Sequence, residues 1–301
     1  MISKISVIIC TRNRFDNFKG TVTSLTKQAR LPDELIVVDS SDVLQIEGYL
    51  ETTKLPFPIQ YFHTRPGLTL QRNHGICQSK GDLLFFFDDD VDLDSSYLSE
   101  VEKVFVSDTI HEIGAVGGRV VSPHGDQPKT ILFWLGPKIF GLIRSFFGLV
   151  GNGSGRFRWS GMPTHPFASQ PSQYIECLSG CCMAFRREVF EKVAFDESLT
   201  RYALMEDADI SKQTLDAGYK IYYQASAQLI HNTSPTNRLK RQPWAEMTVV
   251  NYDYLFRKNW SKDPWRWLFY YWAMVGLVVS NLHNLGALKG SFNGIIKVLD
   301  K

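Results

Sequence analysis

A chain of 301 residues, 44% hydrophobic and 21% charged, buries enough apolar surface for one large α/β domain or a domain with an appendage, which excludes a disordered chain. The net charge of +2, with no basic run beyond Arg238–Arg241, argues against a nucleic-acid partner. The opening MISKISVIIC carries too short an apolar run for a signal peptide, so a cytosolic location is expected, and the five cysteines, an odd number, read as buried thiols.

Ile5–Cys10 is an apolar, β-branched run that predicts a strand. After Thr11, Arg12, Asn13 and Arg14, the residues Phe15, Phe18, Val22 and Leu25 recur at helical spacing. Glu34–Val38 predicts a second buried strand stopping at Asp39, which completes a βαβ unit. Right-handed crossover puts both strand ends on one edge of a parallel sheet, so Thr11–Arg14 and Asp39 are expected to be neighbours. Ile59–His63 reads as a third strand, and Gly67–Lys80 as a helix carrying Arg72 and Asn73. Leu83–Phe87 then runs without interruption into Asp88, Asp89 and Asp90, the pattern of a strand buried on both faces with carboxylates at its carboxyl end. Ligands of open α/β sheets collect at that edge. Three adjacent carboxylates repel one another and need a cation, hydrogen-bond donors or water. The competing readings are a divalent metal site and a solvated acidic turn.

Downstream, a helix is expected over Ser95–Val106 and a strand over Ile113–Val121. Thr130–Val150 is apolar and aromatic, broken by Gly136, Pro137 and Gly141, and reads either as a core-covering segment or as a surface that meets lipid. Asn152–Gln173 is a long Gly, Ser and Pro-rich loop of the kind that forms lids. Glu176–Arg187 predicts a strand, Glu188–Val193 a short helix, and Met205–Gly218 a helix with Glu206, Asp207 and Asp209 in its opening turn. Acids there complement the helix dipole whatever else they do. Lys220–Tyr223 and Ala227–His231 predict a last pair of strands. In the tail, Trp260, Trp265, Trp267 and Trp272 lie near Arg257, Lys258, Lys262 and Arg266, and no charged residue occurs between Arg266 and Lys289. That is the composition of a membrane-interface belt. Only Trp267–Val279 is strongly apolar, so an in-plane helix is expected rather than a span.

Paired carboxylates such as Asp88 and Asp90 suit Mg2+ or Mn2+, with phosphate oxygens completing the shell. A metal so held bridges a diphosphate, which makes the expected substrate a nucleotide carrying a group to transfer. Asp39 is placed to accept from a base or ribose, and Arg12, Arg14 and Arg72 to donate to phosphates.

The ordered strings VIICTRNR, VVDSSD, QRNHGICQSKGDLLFFFDDD, LSGCCMAFRREVF with FDE, and MEDADISKQTLDAGYKIYYQASAQLIH resemble the family 2 glycosyltransferases, whose nucleotide-sugar-binding fold is called GT-A. The resemblance covers Ile5–His231. It implies an α/β fold with a mostly parallel central sheet flanked by helices, followed here by an aromatic helical tail. It implies that Asp39 contacts the nucleoside, with Thr11, Arg12, Arg14, Arg72 and Asp89 lining the donor site. It implies that Asp88 and Asp90 form a metal-binding DxD motif and that His231 reaches the metal or diphosphate. Asp207 of the Glu206–Asp207 pair is the implied base, with Glu206 and Asp209 as alternates, in a single displacement with inversion. Ser40 and Ser41 replace the acid and glycine common after Asp39, and no QxxRW motif follows the acidic pair, which points to transfer of one sugar rather than processive synthesis.

The expected organisation is a GT-A domain over 1–240, with a nucleotide-sugar half to about 125 and an acceptor half over 126–240, and a helical extension over 241–301 in contact with a membrane. The expected partners are a nucleotide-diphosphate sugar and a glycan or lipid-linked acceptor at a cytoplasmic membrane face. A sugar-phosphate nucleotidyltransferase would instead call for a glycine-rich phosphate loop, absent from TRNRFDNF, and a non-catalytic relative would lack the acids.

Overall fold

The computed structural model describes residues 3–121, 135–150, 153–166, 170–232 and 239–300. Parts of three sequence readings lie outside these residues: Thr130–Trp134 of the apolar stretch, Asn152 and 167–169 of the long loop, and Arg238 of the basic run. The chain forms two compact units, one of residues 1–123 and 168–238, the other of 124–167 and 239–301. Composition placed one boundary near 240; packing also groups 124–167 with the C-terminal residues.

The first unit is an α/β sheet. Its elements are β1 (Ile5–Thr11), α1 (Phe15–Leu25), β2 (Glu34–Asp39), α2 (Gln45–Thr52), β3 (Ile59–His63), α3 (Leu68–Gln78), β4 (Leu83–Phe87), β5 (Val91–Leu93), α4 (Tyr97–Ser107) and β6 (Ile113–Val121). After 168 come β7 (Gln173–Ile175), β8 (Cys182–Arg186), a 3-10 turn over Arg187–Glu191, α6 (Glu206–Asp216) and β9 (Lys220–His231). The strand order is β3-β2-β1-β4-β8-β6-β9-β5, with β7 also pairing β9. Strands β3, β2, β1 and β4 are mutually parallel; β8 runs antiparallel between β4 and β6, and the sheet is mixed from there on. β4 reads as an unbroken apolar stretch, and β1 as one broken only by buried Ser6, because both faces of each are covered. Val7, Ile9, Phe85 and Phe87 belong to one core cluster, and Ile8, Leu84 and Phe86 to the other. Phe86 meets Phe195 edge to face at 5.4 Å, and burying one such side chain contributes about 1.5–3 kcal/mol.

Two strand expectations change shape. Glu176–Arg187 is a strand only from Cys182, since Ser179 to Cys182 close a turn through Gly180. Lys220–His231 is one continuous strand with a register shift against β6 between Gly118 and Arg119, where the sequence pattern showed two strands. Asp108 ties the edge of this unit: its carboxylate accepts from the Ile113 amide at 2.8 Å and from Arg186 at 3.1 Å.

The second unit contains α5 (Leu135–Phe146), α7 (Arg241–Trp260), α8 (Pro264–Ser280) and α9 (Leu285–Leu299). Helices α7 and α9 approach closely because Gly290 and Gly294 face α7; a Cβ at Gly290 would lie 2.1 Å from the Gln242 carbonyl oxygen. Helix α8 starts with Pro264 at its first turn and Asp263 accepting from the Trp265 amide at 3.1 Å. It is held by Tyr270, whose hydroxyl donates to buried Asp253 at 2.6 Å and whose ring stacks on Phe256 at 4.4 Å. No helix among the described residues is long and apolar enough to cross a membrane.

Candidate active site

The acids of the β4 tip divide between two sets of partners. Strand β5 follows immediately and pairs antiparallel with β9, Val91 standing opposite His231. That pairing carries a histidine from 141 residues away to the acids: His231 Nε2 lies 2.8 Å from Asp90 Oδ1 and 3.7 Å from Asp88 Oδ2. The ligand atoms of Asp88, Asp90 and His231 all lie within 4.8 Å of one another, a donor set able to hold a divalent metal ion. Burial disfavours a charged ring at His231, but its bonds to Asp90 and Cys181 and the charge of Asp88 outweigh it and push the imidazole pKa up to about 10.

Asp89 turns the other way. Its carboxylate accepts from the Thr11 hydroxyl at 2.7 Å and from Arg14 at 2.8 Å, so it joins the acidic tip to the end of β1. Burial raises its pKa to about 6 against the pull of the Arg14 charge. Arg14 also reaches Asp90 at 3.3 Å. Arg12 points instead to Asp42 at 3.6 Å, a surface pair. Asp39 is fully buried at the end of β2, where its oxygens accept from the Ser41 amide and hydroxyl and, at 3.1 Å, from Tyr61. As expected from the crossover, the two loops meet: Asn13 donates to Asp42 at 2.7 Å, and its amide to Ser41.

Helix α6 supplies the second acidic group. Arg201, Ala203 and Met205, in the approach to it, are all non-glycine residues in the left-handed region, at φ 60°, 49° and 74°. Such positions cost about 1–3 kcal/mol each and are retained where surrounding structure dictates them. Glu206 is buried against Arg72, which donates to it through Nη1. The same guanidinium donates to the Gly180 carbonyl at 2.8 Å and lies 3.5 Å from Asp88, with its plane over the Phe195 ring. Arg72 therefore bridges the two acidic groups. Burial first, and the neighbouring Asp207 charge second, push the Glu206 pKa up to about 7. Asp207 is less buried and accepts from the Gly180 amide at 3.0 Å. Asp209 is buried and bonded to Gln213 at 2.7 Å.

Asp88, Asp89, Asp90, Glu206 and Asp207 outnumber the cationic groups around them, Arg14, Arg72 and His231, and that negative excess suits a bound cation. The structure thus gathers Thr11, Arg14, Arg72, Asp88, Asp89, Asp90, Glu206, Asp207 and His231 by direct contact, whereas Arg12 and Asp39 face the Ser41–Asp42 side. Gly180 was missed by sequence reasoning. A Cβ there would lie 2.7 Å from the Glu206 carboxylate, so a side chain at this position would have to displace that carboxylate from its place against Arg72. Its signal was the turn-forming Ser179–Gly180 pair just before β8.

The chain is similar to known proteins in sequence and in fold. The profile of the family described as "Glycosyl transferase family 2" matches residues 6–194, a range that includes Asp39, Arg72, Asp88–Asp90 and Gly180 and stops short of Glu206. The chain is 27% identical over 256 residues to the O-antigen biosynthesis protein RfbC of Myxococcus xanthus, covering 81% of this chain and 18% of that protein. It is 25% identical over 109 residues to the uncharacterized glycosyltransferase YwdF of Bacillus subtilis (strain 168), covering 36% of this chain and 41% of that protein. The chain thus spans less than half the length of both curated relatives. Among solved structures, it matches GalNAc-T7 with UDP, GalNAc and Mn2+ (TM-score 0.57, 17% identity, 91% of this chain and 55% of that one). It also matches the Pyrobaculum calidifontis mannosyltransferase PcManGT with GDP-Man and Mn2+ (TM-score 0.57, 16% identity, 100% and 76%) and S. aureus TarS with UDP-GlcNAc (TM-score 0.58, 14% identity, 99% and 81%). At these identities the structural likeness establishes the GT-A fold, and the profile match over more than half of the residues establishes the kinship: this chain belongs to glycosyl transferase family 2.

Proposed function

We propose that this chain transfers a single sugar from a nucleotide-diphosphate sugar to a hydroxyl of a glycan or lipid-linked acceptor, with inversion, as part of surface polysaccharide synthesis at the cytoplasmic face of a membrane. The observation that carries the reading is the convergence of Asp88, Asp90 and His231 on one point, joined through Arg72 to Glu206 and, by way of Gly180, to Asp207. Asp88, Asp90 and His231 would hold Mn2+ or Mg2+. A divalent cation there supplies charge stabilisation for the departing diphosphate.

The chain's own side chains divide the remaining work. Thr11, Asp89 and Arg14 brace the metal-binding tip, and Arg14 is the guanidinium next to the expected phosphate position. Asp39, with Ser41 and Tyr61 on its carboxylate, marks the nucleoside end, flanked by Arg12. Arg72 engages the more deeply buried Glu206, and Asp207, which accepts from the Gly180 and Ala208 amides, is assigned the proton of the acceptor hydroxyl. Asp207 is better exposed than Glu206 or Asp209, and Asp209 is occupied by Gln213. The test is a thermal-shift screen of nucleotide sugars with and without Mn2+, followed by a transfer assay on the best donor. The reading predicts a donor-specific rise in melting temperature that needs the cation. No shift with any nucleotide sugar would sink it.

A further inference from the structure

The second unit displays a run of exposed apolar side chains. Trp265, Leu268, Phe269, Trp272 and Val275 of α8 fall on one stripe at spacings of three and four residues, and all are exposed, Trp265 by 74%. Such a patch on a protein surface marks a contact. Beside the stripe lies a cavity of about 760 Å³ walled by Phe146, Trp159, Phe269 and Trp272, with Arg156 and Arg158 on its lining and, among the described residues, no carboxylate. Its walls are held in place. Trp272 Nε1 donates to the Phe146 carbonyl at 2.9 Å, the rings of Trp159 and Phe269 lie 5.9 Å apart, and Arg266 covers the Trp159 ring at 5.5 Å.

An aromatic cavity with Arg156 and Arg158 among its lining residues calls for a ligand that is apolar at one end and anionic at the other. A free phosphate would leave the aromatic walls unused. A glycan would use the rings but not the adjoining aliphatic surface of Leu268, Val275 and Leu142, which is exposed and continuous in character with the stripe. Aromatic rings beside basic side chains are the composition of a bilayer interface. We propose that this cavity is a lipid-phosphate site: the phosphate pairs with Arg156 and Arg158, the acyl or prenyl chain lies along the rings, and the α8 stripe rests in the bilayer interface. The inference rests on the membrane part of the function proposed above and is independent of its transfer chemistry.

The test uses the full chain sedimented with phosphatidylcholine vesicles, with and without phosphatidic acid. Binding is expected to rise about thirtyfold with phosphatidic acid, from ~1 kcal/mol for each basic side chain, and Arg156→Ser/Arg158→Ser is expected to lose that gain. Trp159→Ala and Phe269→Ala are expected to weaken binding to both vesicle types. Dihexanoyl-phosphatidic acid below its micelle concentration should protect Trp159 fluorescence from a soluble quencher, and inorganic phosphate should not. Cooperative unfolding of each variant and an unchanged donor-induced thermal shift keep folding and the transfer reading separate from the result. Equal binding by the arginine variant, equal response to inorganic phosphate, or a concentration-dependent dimer that Trp159→Ala dissolves would each overturn the lipid site.

Discussion

The two edges of the active site are built by different means. Asp88 and Asp90 stand at the tip of a strand whose neighbours, β1 and β8, fix its register by main-chain bonds, and His231 arrives through the β5–β9 ladder. Glu206 and Asp207 open a helix preceded by three left-handed residues, and their side chains are held by Arg72 and Gly180. One edge is set by the sheet and the other by a few side chains. The difference teaches that the proposed metal side should tolerate a change around it better than the proposed acceptor side, where a single substitution removes the support.

The largest effect should fall on that second edge. Asp207→Asn removes the proposed base while keeping its bond to the Gly180 amide, so kcat should drop by about 10²–10⁴ with donor affinity unchanged. Steady-state kinetics beside donor titration measures both, and full activity would remove Asp207 from the role. Arg72→Met leaves Glu206 buried without its cation and should cost about 3–5 kcal/mol in denaturant unfolding, because removing one partner of a buried pair strands the other. Adding Glu206→Gln to that variant should recover part of the loss; if it recovers none, the two edges are not coupled through this pair. On the sheet edge, Asp90→Asn should raise the Mn2+ requirement by at least about 10–100-fold, the range for losing an outer partner of a metal ligand. A chelator should abolish transfer by the parent chain, and added Mn2+ should restore it.

The smallest expected effect lies away from both edges and serves as a control on the sheet. At Asp108, burial opposes ionisation, but the Ile113 amide, Arg186 and the Glu112 amide outweigh it and hold the carboxyl below its usual range. A lowered folded pKa means stability that is present above the unfolded value near ~3.9 and is lost as pH falls through the folded one. Asp108→Asn should therefore cost about 1.5–3 kcal/mol at neutral pH and flatten the acid limb of the stability curve. An unchanged acid limb would show that Asp108 does not contribute to it.

Much of this molecule was legible in the residue order. The β1, β2 and β4 runs, the acids at their ends and the acidic start of α6 follow from periodicities of two and 3.6 residues, which are local properties of the chain. The in-line order of those strings also carried the family. What periodicity cannot convey is which distant groups meet. That Asp89 turns to Thr11 while Asp88 and Asp90 turn to His231 depends on β5 pairing with β9, and a three-residue strand leaves almost no pattern to read. That Arg72 faces Glu206, 134 residues away, depends on where α3 and α6 pack, and a phosphate-binding arginine looks the same in sequence. The grouping of 124–167 with the C-terminal helices was hidden for a similar reason: apolar composition shows that a segment is covered or in contact, and only packing decides by what. By itself, then, the sequence determined the sheet, its acidic edge and the kinship of the chain, because these arise from short-range pattern. The pairing of the acids, the bridge through Arg72 and the displayed aromatic cavity were decided by tertiary structure alone, because each depends on contacts between residues that strand order and helix packing bring together.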